Sequence, residues 1–216
     1  MSFGASVRSL LGRFERPAST AYRSLFMSAE SLALTISSLS QGPRILEVGV
    51  GDGLVAQHIS ECCPESSMLG IDVCVQPGRM FAGDSDRVSF RRQSVHELLL
   101  EEPEPFDLVL LLDVLHHVPE SERDAIVEAC GRLTAPGGHF VVKESCRVFS
   151  PAYPFFVLAD RWIGGDRGVS FLTEAEVEQL VVGTIDGAIP IARHRIQPWG
   201  VNVLTAFRMA TTASQK

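Results

Sequence analysis

The chain has 216 residues, of which 45% are hydrophobic and 21% charged, the proportions of an ordinary globular domain. That length can bury a stable core without disulfides or a structural metal. The formal charge of −7 excludes broad contact with a phosphate backbone, which needs a basic face, so no nucleic acid partner is expected. In chain order, Val7, Leu10, Leu11 and Phe14 stand at helical spacing and predict an amphipathic helix docked on the domain. Arg8 and Arg13 among serines also fit a transit peptide, and the same pattern fits a helix lying on a membrane surface. Stable membrane insertion is not expected, because no apolar run approaches bilayer length. Beyond Pro17, apolar residues from Tyr22 to Leu39 recur every three or four positions, a second helix stopped by Gly42-Pro43. Residues 1–42 are thus read as an N-terminal helical cap and 43–216 as the main domain.

There the texture changes. Arg44–Val48, Ser67–Ile71, Val88–Arg91, Phe106–Leu112 and His139–Lys143 read as strands, with helices near Gly53–Cys62, Ser94–Leu100 and Glu120–Leu133 between them. Such alternation predicts an α/β three-layer sandwich, a mainly parallel sheet with helices on both faces. Gly137-Gly138 is read as the turn from the third of these helices into the fifth strand. From about 150 to 171 the rhythm breaks into an aromatic insertion. Thr173 then N-caps a helix to about Val182. Ile185–Ile196 and Trp199–Met209 close the sheet as an antiparallel hairpin.

The first strand runs into ILEVGVGDG, with glycines at 49, 51 and 53. A dinucleotide fingerprint is GxGxxG, whereas Leu54 follows Gly53 here. Glu47, ending the strand, suits an ammonium group and not a pyrophosphate. Asp72, ending the second strand, can accept hydrogen bonds from both hydroxyls of a ribose. A close-approach loop with these two acids suits a nucleoside that carries an amino acid.

In this order of motifs the sequence resembles the class I S-adenosylmethionine-dependent methyltransferases, over about Arg44 to Glu144. ILEVGVGDG, MLGID, VSFRRQSV, FDLVLLLDVLHHVP and LTAPGGHFVVKE are similar to five successive family motifs. The resemblance implies a Rossmann-like fold, S-adenosyl-L-methionine as cofactor and S-adenosyl-L-homocysteine as product. It implies that Glu47 and the backbone of Gly49, Val50 and Gly51 hold the methionine end. Asp72 would hold the ribose and Val73 would pack on the adenine, with Gln93, Ser94 and Val95 flanking it. Ser94 stands where the family usually has Asp, and it equally fits an N-cap. Asp113 and Val114 would line the pocket near the reacting end, although Asp113 also fits a structural cap.

A hydroxyl acceptor benefits from a general base, and His116 and His117 fall at the carboxyl edge of the sheet, where ligands bind in open α/β folds. Either could instead pack on the cofactor or cap the next helix. Tyr22 and Phe26 on one side, Phe155 and Trp162 on the other, are candidate walls of an acceptor cavity, or core. Lys143-Glu144 could be solvated, paired with each other, or in contact with the acceptor. No Asn/Asp-Pro-Pro-aromatic motif and no Pro-Cys pair follows the fourth strand, which disfavours amino-group methylation of nucleic acid or protein and cytosine methylation. The sequence names no metal-ligand set. The five cysteines form no CxxC pair, and their odd number suits a reducing, cytoplasmic setting. The function so read is methyl transfer to an oxygen or nitrogen of a small, apolar or aromatic metabolite. The alternative is a protein of the same fold that binds the cofactor without transferring its methyl group.

Overall fold

The computed structural model describes residues 28–146, 170–197 and 201–211. In chain order they form α1 (Ala29–Leu39), β1 (Arg44–Val48), α2 (Leu54–Cys62), β2 (Ser67–Asp72), β3 (Val88–Arg92), α3 (Val95–Leu100) and β4 (Phe106–Leu112). A 3-10 turn (Leu115–His117), α4 (Glu120–Leu133), β5 (Thr134–Ser145), α5 (Glu174–Thr184), β6 (Ile189–Ile196) and β7 (Asn202–Arg208) follow.

Seven strands form one sheet in the order β3-β2-β1-β4-β5-β7-β6. β1 to β5 are parallel, and β7 is antiparallel to both β5 and β6. The α/β three-layer, Rossmann-like architecture expected from the sequence is the one observed. The strand order reverses between β1 and β4, so the loops leaving their carboxyl ends diverge and open a crevice.

The strands read as nearly unbroken apolar runs because both sheet faces are covered. Leu46, Val109, Leu111, Phe140 and Val142 face the core made with α3, α4 and α5. Ile45, Leu108, Leu110 and Val141 face the core made with α1 and α2. The period-two alternation fixes the face of whatever follows in each strand. Helix α1 is tied at both ends, since Ser28 donates its N–H to Gln197 O at 2.9 Å and His139 Nδ1 meets Leu39 O at 2.7 Å.

Three boundaries differ from the sequence expectation. Gly137-Gly138 is not a turn ahead of the fifth strand but a bulge inside it. β5 begins at Thr134, directly after α4, and its pairing jumps from Phe106↔Thr134 to Leu108↔His139. Gly137 takes φ +78, and a Cβ on Gly138 would lie 2.9 Å from the carbonyl oxygens of Ala135 and Asp107. The helix opened by Thr173 runs on to Thr184, because Ile185 N–H still reaches Val181 O, so β6 starts only at Ile189. β7 starts at Asn202. The aromatic insertion up to residue 169 and the first helical segment lie outside the described residues. Among the described residues, no helix is long and apolar enough to cross a membrane, and the cysteines are free thiols.

Ser94 is the N-cap of α3 within a full capping box. Its hydroxyl accepts from Glu97 N at 3.2 Å, and Glu97 Oε2 accepts from Ser94 N at 2.8 Å. Ser94→Ala should therefore lower unfolding stability by about 1 kcal/mol, measured by chemical denaturation; a loss of only a few tenths would show that the cap contributes little.

Candidate functional site

The crevice is built from three chain segments at the carboxyl edge: the glycine loop after β1, the turn after β2 and the turn after β4. The glycine loop adopts left-handed conformations at Gly49, Gly51 and Gly53, with φ of +80, +56 and +83. These angles are cheap only for glycine. A Cβ on Gly49 would lie 2.3 Å from Val114 Cγ2, whereas one on Gly51 would meet nothing within 4 Å. The loop is thus packed at Gly49 and open at Gly51. Val50 points away, 5% exposed in the core shared with α1 and α2.

Asp72 fastens this loop to its neighbour. Its Oδ2 accepts from Gly51 N at 2.7 Å and its Oδ1 from Cys74 N at 2.7 Å. The carboxylate is partly exposed and keeps further lone pairs for a ligand. Burial, with Asp72 beside it, pushes the Cys74 thiol up from its ordinary range, so it stays protonated at neutral pH. Val73, next in the chain, is 70% exposed at the rim. Gln93 N donates to Asp72 O at 3.0 Å, which sets the end of β3 against the end of β2. Val95 packs its side chain into the core with α4. Glu47 is buried at the end of β1, on the same strand face as Ile45.

The turn after β4 is held from β5. Asp113 takes φ +57, a region that Asp tolerates better than most residues, and its N–H donates to Lys143 O at 2.8 Å. Chain reversal at Asp113 leads into the 3-10 turn that carries both histidines. Lys143 and Glu144 are buried on opposite faces of β5, so of the alternatives the sequence left open they are neither solvated nor paired with each other. Lys143 Nζ donates to both carboxylate oxygens of Asp113, at 2.7 and 2.6 Å. Glu144 Oε1 accepts from Val114 N at 3.0 Å and Leu115 N at 2.7 Å, and its Oε2 lies 2.5 Å from His116 Nδ1. An ionised carboxylate can only accept, so this contact places a proton on Nδ1; in the neutral form of the ring the lone pair is then on Nε2.

His116 is buried and His117 exposed, with ring centroids 4.1 Å apart. Phe171 stacks on His116 at 5.4 Å and an interplanar angle of 17°. The two histidines, alike in sequence, therefore have different chemistry available. Asp113, His116 and Glu144 bring ligand-type atoms within 4.8 Å of one another, a spacing a metal ion could bridge. The sequence reading did not foresee that convergence. Each of these residues already serves a protein partner: Lys143 for Asp113, two backbone N–H groups and His116 for Glu144.

The fold brings Glu47, Gly49, Gly51, Asp72, Val73, Asp113, Val114, His116 and His117 to one edge. Tyr22, Phe26, Phe155 and Trp162 lie outside the described residues. The sequence reading left Glu144 open as an acceptor contact and did not foresee that it and Phe171 would hold His116. The signal for Glu144 was present: in HFVVKES two charged residues continue a strand whose apolar members face both cores.

A family described as "Methyltransferase domain" matches residues 45–138. The ubiquinone biosynthesis O-methyltransferase of Xylella fastidiosa (strain 9a5c) is 34% identical over 113 residues, which is 50% of this chain and 44% of that protein. The protein of the same description from Alkalilimnicola ehrlichii is 37% identical over 127 residues, 57% of this chain and 49% of the other. The chain thus spans about half the length of these curated relatives. The solved 1,6-didemethyltoxoflavin-N1-methyltransferase of Burkholderia thailandensis superposes with a TM-score of 0.64 at 19% identity, over 96% of this chain and 89% of that one.

Gly49→Ala combines a left-handed φ with a clash against the stiff, β-branched side chain of Val114, and should cost about 2–3 kcal/mol of stability. Gly51→Ala carries the strain alone and should cost about 1 kcal/mol. Equal losses in thermal or chemical unfolding would show that the Val114 contact is not a constraint.

Proposed function

We propose that this chain, whose residues 45–138 match the methyltransferase-domain family and which is similar to curated O-methyltransferases over about half its length, is a class I S-adenosylmethionine-dependent methyltransferase that transfers a methyl group from S-adenosyl-L-methionine to an oxygen or nitrogen of a small molecule. The observation that carries this reading is the buried Glu144–His116 pair on the turn whose Val114 packs on Gly49. It sets an oriented proton acceptor beside the loop where a cofactor would lie. The names of the curated relatives favour a hydroxyl acceptor, and so does the pair itself, because a hydroxyl must lose its proton on methylation.

The residues fit the cofactor. Open space stands over Gly51, where a Cβ would meet nothing. Asp72 flanks that space with lone pairs for a ribose diol, and Val73 exposes an apolar face for the adenine. Glu47 is an acid for the ammonium of the methionine end. Gln93 and Ser94 border the adenine side, and Asp113 borders the reacting end. The cofactor supplies a methyl group on a sulfonium, already activated for displacement. The chain then has to align the acceptor, exclude water and take up a proton. His116 Nε2 accepts the proton, and Glu144 holds the ring in the required tautomer while its negative charge favours the imidazolium that forms. His117, exposed beside it, contributes a rim to the acceptor site.

Calorimetry tests the first half of this reading. The wild-type chain should bind S-adenosylmethionine, and Asp72→Ala should weaken binding by about 1–3 kcal/mol, the cost of leaving ribose hydroxyls without their acceptor. An unchanged affinity would move the ribose elsewhere. Incubation with isotopically labelled cofactor and extract of the source organism, followed by mass spectrometry, identifies the acceptor; binding without any labelled product would favour a cofactor-binding protein that does not methylate.

With an acceptor in hand, His116→Ala and Glu144→Gln should each lower turnover by about 10²-fold or more, while His117→Ala changes it far less. Full turnover in His116→Ala would remove the general base from the mechanism.

A further inference from the structure

Arg123 is 7% exposed, and its partners among the described residues are two backbone carbonyls. Nε donates to Val118 O at 3.1 Å and Nη2 to Ser170 O at 3.0 Å. Nothing in the helix itself calls for a cation here. Arg123 stands in the second turn's opening position of α4, near the positive end of the helix dipole, behind Glu120 and Glu122. Burying a guanidinium is costly unless its hydrogen bonds organise something.

What it organises is the wall of His116. Val118 closes the 3-10 turn that carries His116, and Ser170 begins the stretch that returns to the site. Ser170 N–H donates to His116 O at 3.0 Å. The fork of Arg123 joins the far side of the same two segments, so Ser170 is held to the turn through both its N–H and its carbonyl. Phe171, one residue on, is thereby laid on the His116 ring. Glu144 fixes that ring in its plane through Nδ1, and Phe171 fixes it from one face.

We propose that Arg123 is a positioning residue for His116, acting through Ser170 and Phe171 to hold the imidazole in the orientation that presents Nε2 to the acceptor. The proposal rests on the reading of His116 as the proton acceptor, but the geometry it asserts can be tested without any acceptor. Planarity and two parallel donors make the role specific to arginine: lysine keeps the charge but cannot bridge two carbonyls with one rigid fork.

The test is nuclear magnetic resonance of the full chain labelled with 15N in its histidine rings, with His116 assigned through His116→Gln. In the wild type the His116 ring should show a single tautomer protonated at Nδ1. Arg123→Gln should shift or broaden the His116 ring signals while leaving those of His58, His96 and His194 in place. Phe171→Leu should do the same with Arg123 intact, and Arg123→Lys should fall between wild type and Arg123→Gln. Wild-type His116 signals in a folded Arg123→Gln would overturn the proposal. If Arg123→Gln does not fold, wild-type signals in Arg123→Lys and Phe171→Leu overturn it instead. Where methyl transfer is established, Arg123→Gln should lower kcat roughly tenfold to a hundredfold with the KM for the cofactor unchanged. A wild-type chain that transfers no methyl group would refute the functional reading and leave the ring signals to decide the role of Arg123 on their own.

Discussion

The carboxyl edge of this sheet depends on one buried carboxylate. Glu144, 1% exposed, satisfies two backbone N–H groups of the turn after β4 and the Nδ1 of His116. Those three bonds exhaust most of what a carboxylate can accept without water, so the group is buried yet compensated. Because the turn hangs from Glu144, the position of Val114 follows, and Val114 in turn sets how the glycine loop can lie at Gly49. The geometry of two loops on different strands is thus set from a third strand.

Next to it stands a second charged pair on the other face of β5. Lys143 is 2% exposed and meets the half-exposed carboxylate of Asp113. With His116 neutral the four groups carry one net negative charge; with His116 protonated they carry none. Removing Asp113 would strand the buried Lys143, and removing His116 would deprive the buried Glu144 of one partner, which is why both pairs act as structural constraints as well as chemical ones. Asp72 has a comparable double character, since it anchors Gly51 and Cys74 through backbone bonds while still offering lone pairs to the crevice.

Most of the parallel sheet was legible, because buried parallel strands are short continuous apolar runs and the helices between them are amphipathic. The bulge in β5 was not. Gly137-Gly138 is as good a turn signal as any in the chain, and only pairing with β4 on one side and β7 on the other converts it into a kink within a strand. The late start of β6 has a similar cause: the helix before it is prolonged by packing of Leu180 and Ile185 on the core, which local propensity does not report. Ser94 was readable as a cap, with Glu97 three residues later as the clue. Arg123 left a fainter trace, a charged residue four positions before Val127 on the buried stripe of α4.

The sequence alone determined the order of strands and helices, the glycine loop with its two flanking acids, and the placement of a histidine pair after the fourth strand. These are local patterns, and each follows from periodicity, turn chemistry or residue spacing. The tertiary structure alone decided which of two adjacent histidines is buried and oriented, and which lysine and glutamate hold that turn. Those facts depend on β4 and β5 lying side by side, with Asp113 and Glu144 brought within hydrogen-bonding reach of partners about 30 residues away in the chain. Spacing along a chain does not encode such a contact; the pleat and the register do.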